Sequence, residues 1–121
     1  MTCKLLASQE KASRAMNRWG IPKQIESIVR QRDIVCVYCG VELVDSVTKG
    51  QSRARLGTWE HIINDARIVT LENIARCCCS CNASKGSKDL SRWFGSDYCR
   101  SKGITIESVA PVVRNRLLKL G

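Results

Sequence analysis

A chain of 121 residues, only 5% of them aromatic, is too short for two ordinary domains and buries a thin apolar core, so a structural metal would add stability the core lacks. Twenty Lys and Arg against eleven Asp and Glu give a formal net charge of +9, a field that draws polyanions. No run approaches transmembrane length, Met1–Glu10 lacks the apolar core of a signal peptide, and consecutive Cys77, Cys78 and Cys79 would strain as disulfide partners. A membrane span and a secreted disulfide scaffold are therefore set aside, and a cytoplasmic chain (or a phage-encoded one acting in host cytoplasm) with cysteine metal ligands is expected.

The expected fold class is α+β in a single domain over residues 1–121. Residues 1–35 form a basic helical arm with seven basic and three acidic side chains. Within it, Leu5, Ala12, Met16 and Trp19 recur at helical spacing, and Gly20-Ile21-Pro22 interrupts them. Pro22 suits the first position of a second helix, on which Ile25, Ile28 and Val29 share a face. A tight turn, Cys36-Val37-Tyr38-Cys39-Gly40, follows. Residues 45–57 read as a polar, basic loop, and Thr58–Ile63 and Asn73–Cys77 as short strands. A helix is expected to begin near Asn82, with Gly86 weakening its early turns. Residues 91–121 form a basic helical region with six basic and two acidic side chains. Its final helix starts from Ser108, tolerates Pro111 in its first turn, and buries Val109, Val112, Val113, Leu117 and Leu120.

Cys36-x-x-Cys39 and Cys78-x-x-Cys81 are matched pairs. Two residues between thiolates let one turn aim both sulfurs at a metal, and two such turns complete a tetrahedron, so structural Zn²⁺ is expected. Cys77 or Cys79 could replace Cys78, but only Cys78 leaves a two-residue gap before Cys81. Cys3, Cys77, Cys79 and Cys99 then have no ligand role, and ordinary apolar packing accounts for them. The pairs are separated by 38 residues, more than the roughly 15–20 of a simple zinc ribbon, so the metal would staple the ends of an inserted unit.

That insert holds the only histidine, in Trp59-Glu60-His61-Ile62-Ile63, and leads to Leu71-Glu72-Asn73 and to Cys81-Asn82-Ala83-Ser84-Lys85-Gly86. Over residues 34–90 the chain resembles the HNH endonucleases of ββα-metal fold. Their pattern is an acidic residue and histidine on the first strand, asparagine before the second cysteine pair, and histidine or asparagine after it. Glu60, His61, Asn73, Asn82, Lys85 and Gly86 occupy those positions. Three residues depart from the commonest form: Glu60 stands for aspartate, Asn64 for proline and Asn82 for the final histidine.

The resemblance implies a zinc-stapled ββα-metal core over residues 36–90 and a metal-dependent DNA endonuclease. His61 would be the general base toward water, since imidazole ionises near neutrality. Glu60 and Asn82 would bind one Mg²⁺ or Mn²⁺ through oxygen. Asn73 would brace the loop and orient His61, and Lys85, Lys88 or Arg76 would contact phosphate. The products would be 5′-phosphate and 3′-hydroxyl ends, and the partner double-stranded DNA. A restriction, phage or mobile-element nuclease would gain from homodimerisation, although no dimer signature is visible. Each residue also has a plainer reading: Asn82 as a helix cap, Asn73 as a turn residue, Glu60 as a surface carboxylate, and Lys85 as a solvated lysine. Charge and cysteines alone fit a non-catalytic zinc-stapled nucleic-acid-binding module equally well.

Overall fold

A computed structural model describes residues 16–120. The expectations for Leu5, Ala12 and Cys3 lie outside the described residues. The architecture is α+β, with a two-stranded antiparallel sheet and five helices among the described residues.

The helix expected to run through Trp19 is not present over residues 16–20. Asn17 Oδ1 accepts the backbone N–H groups of Trp19 (2.8 Å) and Ile21 (3.1 Å), capturing donors that a helix would need. Gly20, at φ 77°, completes the turn, and Met16 bridges back to Pro22. Helix α1 (Lys23–Arg32) follows, with Pro22 capping it rather than opening its first turn. Its core face is narrower than the sequence pattern implies: Val29 is buried and Ile25 half-buried, whereas Ile28 is 48% exposed.

Strand β1 (Gly57–His61) pairs with β2 (Ile74–Cys78) in a register that sets Thr58 opposite Cys77, Trp59 opposite Arg76, Glu60 opposite Ala75 and His61 opposite Ile74. β1 ends two residues before the expected Ile63. Side chains alternate across a strand, so the hairpin has two distinct faces. On one, Trp59 and Ile74 meet Ile21, Ile25 and Val29 beside α1. Arg32 fastens this face by donating to the carbonyls of Leu71 (2.8 Å) and Ile74 (2.7 Å).

On the other face lies α2 (Cys79–Lys85), which begins earlier than expected because Cys78 Sγ accepts the Cys81 N–H and caps it. Gly86, at φ 53°, closes this helix instead of sitting in its early turns. Asn82 is therefore inside the helix, which removes its reading as an N-cap. Beyond α2, α3 (Leu90–Phe94) and α4 (Asp97–Lys102) are capped by Asp89 and Ser96, and α5 (Pro111–Leu120) opens on its proline. These elements enclose the main core, centred on Trp93, which meets Tyr38 edge-on at 4.9 Å between ring centroids.

Candidate metal centre and hairpin site

The ligand atoms of Cys36, Cys39, Cys78 and Cys81 all lie within 4.8 Å of one another. Gly40, at φ 80°, turns the chain after the first pair, and Val37 N–H donates to the Arg76 carbonyl, hooking that turn onto β2. Cys36 Sγ accepts the N–H groups of Tyr38 and Cys39, both at 3.4 Å, as Cys78 Sγ accepts that of Cys81 at 3.3 Å. Cys39 and Cys78 sulfurs are 3.8 Å apart. A tetrahedron with Zn–S bonds of about 2.3 Å has edges of roughly 3.8 Å, so four thiolates at this spacing could hold a zinc-like ion. The choice among the three consecutive cysteines is settled by geometry: Cys78 joins the cluster, while Cys77 points at Thr58 in the interior.

Thiol electrostatics agree with that chemistry. Hydrogen bonds from Cys78 and Cys81 bring the Cys36 thiol down to about 2. The same Cys36 contact pushes Cys78 up to about 11 and Cys81 well above the usual thiol range. Four sulfurs held this close crowd negative charge when they ionise, a conflict that a divalent cation removes. Cys77 is also pushed up, first by burial and then by the Glu60 charge. All the described cysteines are free of disulfides.

The hairpin's α2-facing side carries two rungs. Asn82 Nδ2 donates to Thr58 Oγ1 at 2.8 Å, and Thr58 Oγ1 donates to the Cys77 carbonyl at 2.9 Å. One step along each element, the Lys85 ammonium stands 2.9 Å from Glu60 Oε2, which also accepts the Tyr38 hydroxyl at 2.7 Å. Lys85 is fully buried and Glu60 only 6% exposed. The ammonium lies within ion-pair distance, but no acceptor meets it in hydrogen-bond alignment. Burial, followed by the charge of Glu60, raises Tyr38 well above the usual phenol range, keeping it a donor.

Lys85, expected at a phosphate, is thus instead the counter-ion of Glu60 in this conformation. Arg76 is 7% exposed on the opposite, α1-facing side, away from Glu60. Lys88 is exposed and donates to the Ser84 carbonyl at 3.1 Å.

His61 ends β1 opposite Ile74, on the strand face that alternates with that of Glu60. Its Nε2 is buried without a partner. Asp65 is lowered to about 2 chiefly by hydrogen bonding to the Arg67 side chain. Asn73 is fully buried and ties the intervening loop at three points: its Oδ1 accepts the Ile63 N–H (2.8 Å), and its Nδ2 donates to the Ile63 (3.2 Å) and Ile68 (3.0 Å) carbonyls. No hydrogen bond joins His61 to Glu60, Asn73 or Asn82 among the described residues.

The donor set suits an oxygen-loving cation in kind. Both contacts of Glu60 fall on Oε2, and Asn82 uses its amide nitrogen, so Glu60 Oε1 and Asn82 Oδ1 have no partner among the described residues. Sequence reasoning missed Tyr38 and Thr58. Tyr38 lies hidden between two cysteine ligands, and Thr58 was readable only as the same-face neighbour of Glu60. Comparison with protein-family models, with curated proteins and with solved structures finds no match.

Proposed function

We propose that the chain is a metal-dependent DNA endonuclease of HNH type, with residues 36–90 as a zinc-stapled ββα-metal core. The observation carrying this reading is the cysteine-anchored pairing of β1 with α2, which faces Thr58 and Glu60 toward Asn82 and Lys85 while His61 follows Glu60 at the strand end. Glu60 Oε1 and Asn82 Oδ1 would hold one Mg²⁺ or Mn²⁺, which supplies Lewis-acid stabilisation of the phosphoryl oxygens. His61 takes the proton from the attacking water. With Nε2 enclosed, Nδ1 is the nitrogen assigned to that task. Asn73 fixes the backbone two residues beyond the base, and Lys85 keeps Glu60 neutralised before a cation arrives.

One observation favours a second reading, a zinc-stapled nucleic-acid-binding module without catalysis: Oε2 of Glu60 is closed off by Tyr38 and Lys85. Incubating plasmid and defined duplex with the purified chain separates the two. The nuclease cuts with Mg²⁺ or Mn²⁺, leaves 5′-phosphate and 3′-hydroxyl ends, and loses cleavage in His61→Ala while retaining zinc and DNA affinity. Uncut DNA under both metals, with binding intact, establishes the second reading.

A further inference from the structure

The α1-facing side of the hairpin carries a cluster that the reaction above does not use. Two guanidinium groups approach the Trp59 ring: the Arg30 Cζ is 5.3 Å from the indole centroid and that of Arg76 5.4 Å. The space for Arg76 is built in. A Cβ on Gly57 would come within 2.4 Å of Arg76 Nη2 and 2.8 Å of its Cζ, so the guanidinium packs directly over the bare glycine and would have to swing aside for any larger residue. Arg76 is more than nine-tenths buried, yet its Nε has no partner.

The acidic groups nearby are mostly engaged elsewhere. Both Asp33 oxygens are taken by Arg32 at 2.7 and 2.8 Å, and one also by the Arg76 backbone N–H. Glu26 holds Arg30 from within α1 at 3.4 Å. That leaves Asp45, whose Oδ1 bridges Arg30 Nη1 at 3.7 Å and Arg76 Nη1 at 3.6 Å. Its side chain is 83% exposed, and a loose contact of that kind is readily exchanged.

We propose that Arg30 and Arg76 form a phosphate-binding site for a nucleic-acid backbone, with the Asp45 carboxylate occupying the phosphate position until DNA displaces it. Two guanidiniums braced on an indole present N–H donors suited to phosphate oxygens. Trp59 stands two residues before His61 on the same strand face, about 7 Å along the strand, so a backbone held here runs past the end of β1. Contacts of this type set register without reading sequence. The inference rests on the DNA reading above but not on hydrolysis.

The test is the affinity of a fluorescein-labelled 20-base-pair duplex, measured by anisotropy over a salt series. Asp45→Asn, which removes the competing charge, should tighten binding several-fold. Arg30→Gln should weaken it about tenfold and reduce the log–log salt slope by about one. His61→Ala should leave both unchanged. Both altered residues in the cluster are solvent-accessible, so folding is retained. A duplex affinity that Asp45→Asn leaves unchanged or weakens, or a salt slope unmoved by Arg30→Gln, overturns the site. Binding of inorganic phosphate at matched ionic strength, with duplex affinity indifferent to both substitutions, overturns the assignment to a nucleic-acid backbone. Wild-type protein that ignores duplex at low salt defeats the DNA reading itself, whereas uncut plasmid with the expected shifts defeats hydrolysis alone.

Discussion

Replacing Lys85 by methionine isolates the energetics of the buried ion pair. At 2.9 Å and an effective dielectric of about 20, Lys85 and Glu60 attract by roughly 6 kcal/mol. Desolvating the two ions costs several kcal/mol each, so the intact pair contributes little net stability over an apolar isostere. Lys85→Met removes the attraction and leaves the Glu60 carboxylate buried with only the Tyr38 hydroxyl as partner. Stranding one member of such a pair costs about 3–5 kcal/mol, a large part of the roughly 5–15 kcal/mol that holds a domain folded. Urea denaturation with zinc present at pH 7 measures the loss, and thermal unfolding should fall by on the order of 12–20 °C. Combining Lys85→Met with Glu60→Gln keeps an acceptor for Tyr38 while removing the uncompensated charge, and should recover most of the stability. A single variant that loses under about 1 kcal/mol, or a double variant no better than the single, refutes a desolvated pair.

Further outcomes follow from other parts of the molecule. Zinc analysis should find one ion per chain in wild type and in Cys79→Ser, but little in Cys78→Ser; equal zinc in all three would contradict the cluster. Chelating zinc should abolish the far-UV signal of the centre, because metal binding there is part of the folding free energy. Asn73→Ala frees three hydrogen-bonded backbone groups of a closed loop and should cost about 2–4 kcal/mol by urea denaturation. Asp65 should titrate by NMR with a midpoint near 2. Its depressed value means that the Arg67 contact contributes above the ordinary aspartate range and is lost as pH falls through about 2, and Arg67→Ala should return the midpoint toward about 4.

The gathering of the two Cys-x-x-Cys turns and the α+β character were legible because they depend on local chemistry: the spacing of the cysteines and the β-branched and aromatic residues of the short strands. The helical stripe continuing through Trp19 misled because Asn17, a polar residue off that stripe, diverts the backbone donors. α3 and α4 are too short for periodicity to register, although Asp89 and Ser96 were readable caps. Glu60 and Lys85 were both singled out, yet their mutual contact was not, since it depends on α2 starting three residues before Asn82. Arg76 was grouped with the phosphate contacts by charge alone. Strand parity, counted from its pairing with Trp59, is what puts it on the other face.

The sulfur cluster closes a ring through 38 residues of chain. Closure entropy grows only with the logarithm of ring size, about 0.6 kcal/mol for each doubling. The exposed stretch around Gly50, Ser52 and Arg53 forms part of that ring. Extra residues spliced there would lengthen the tether without touching its clasp. That excursion can thus change widely in length while the fastening and the hairpin stay the same.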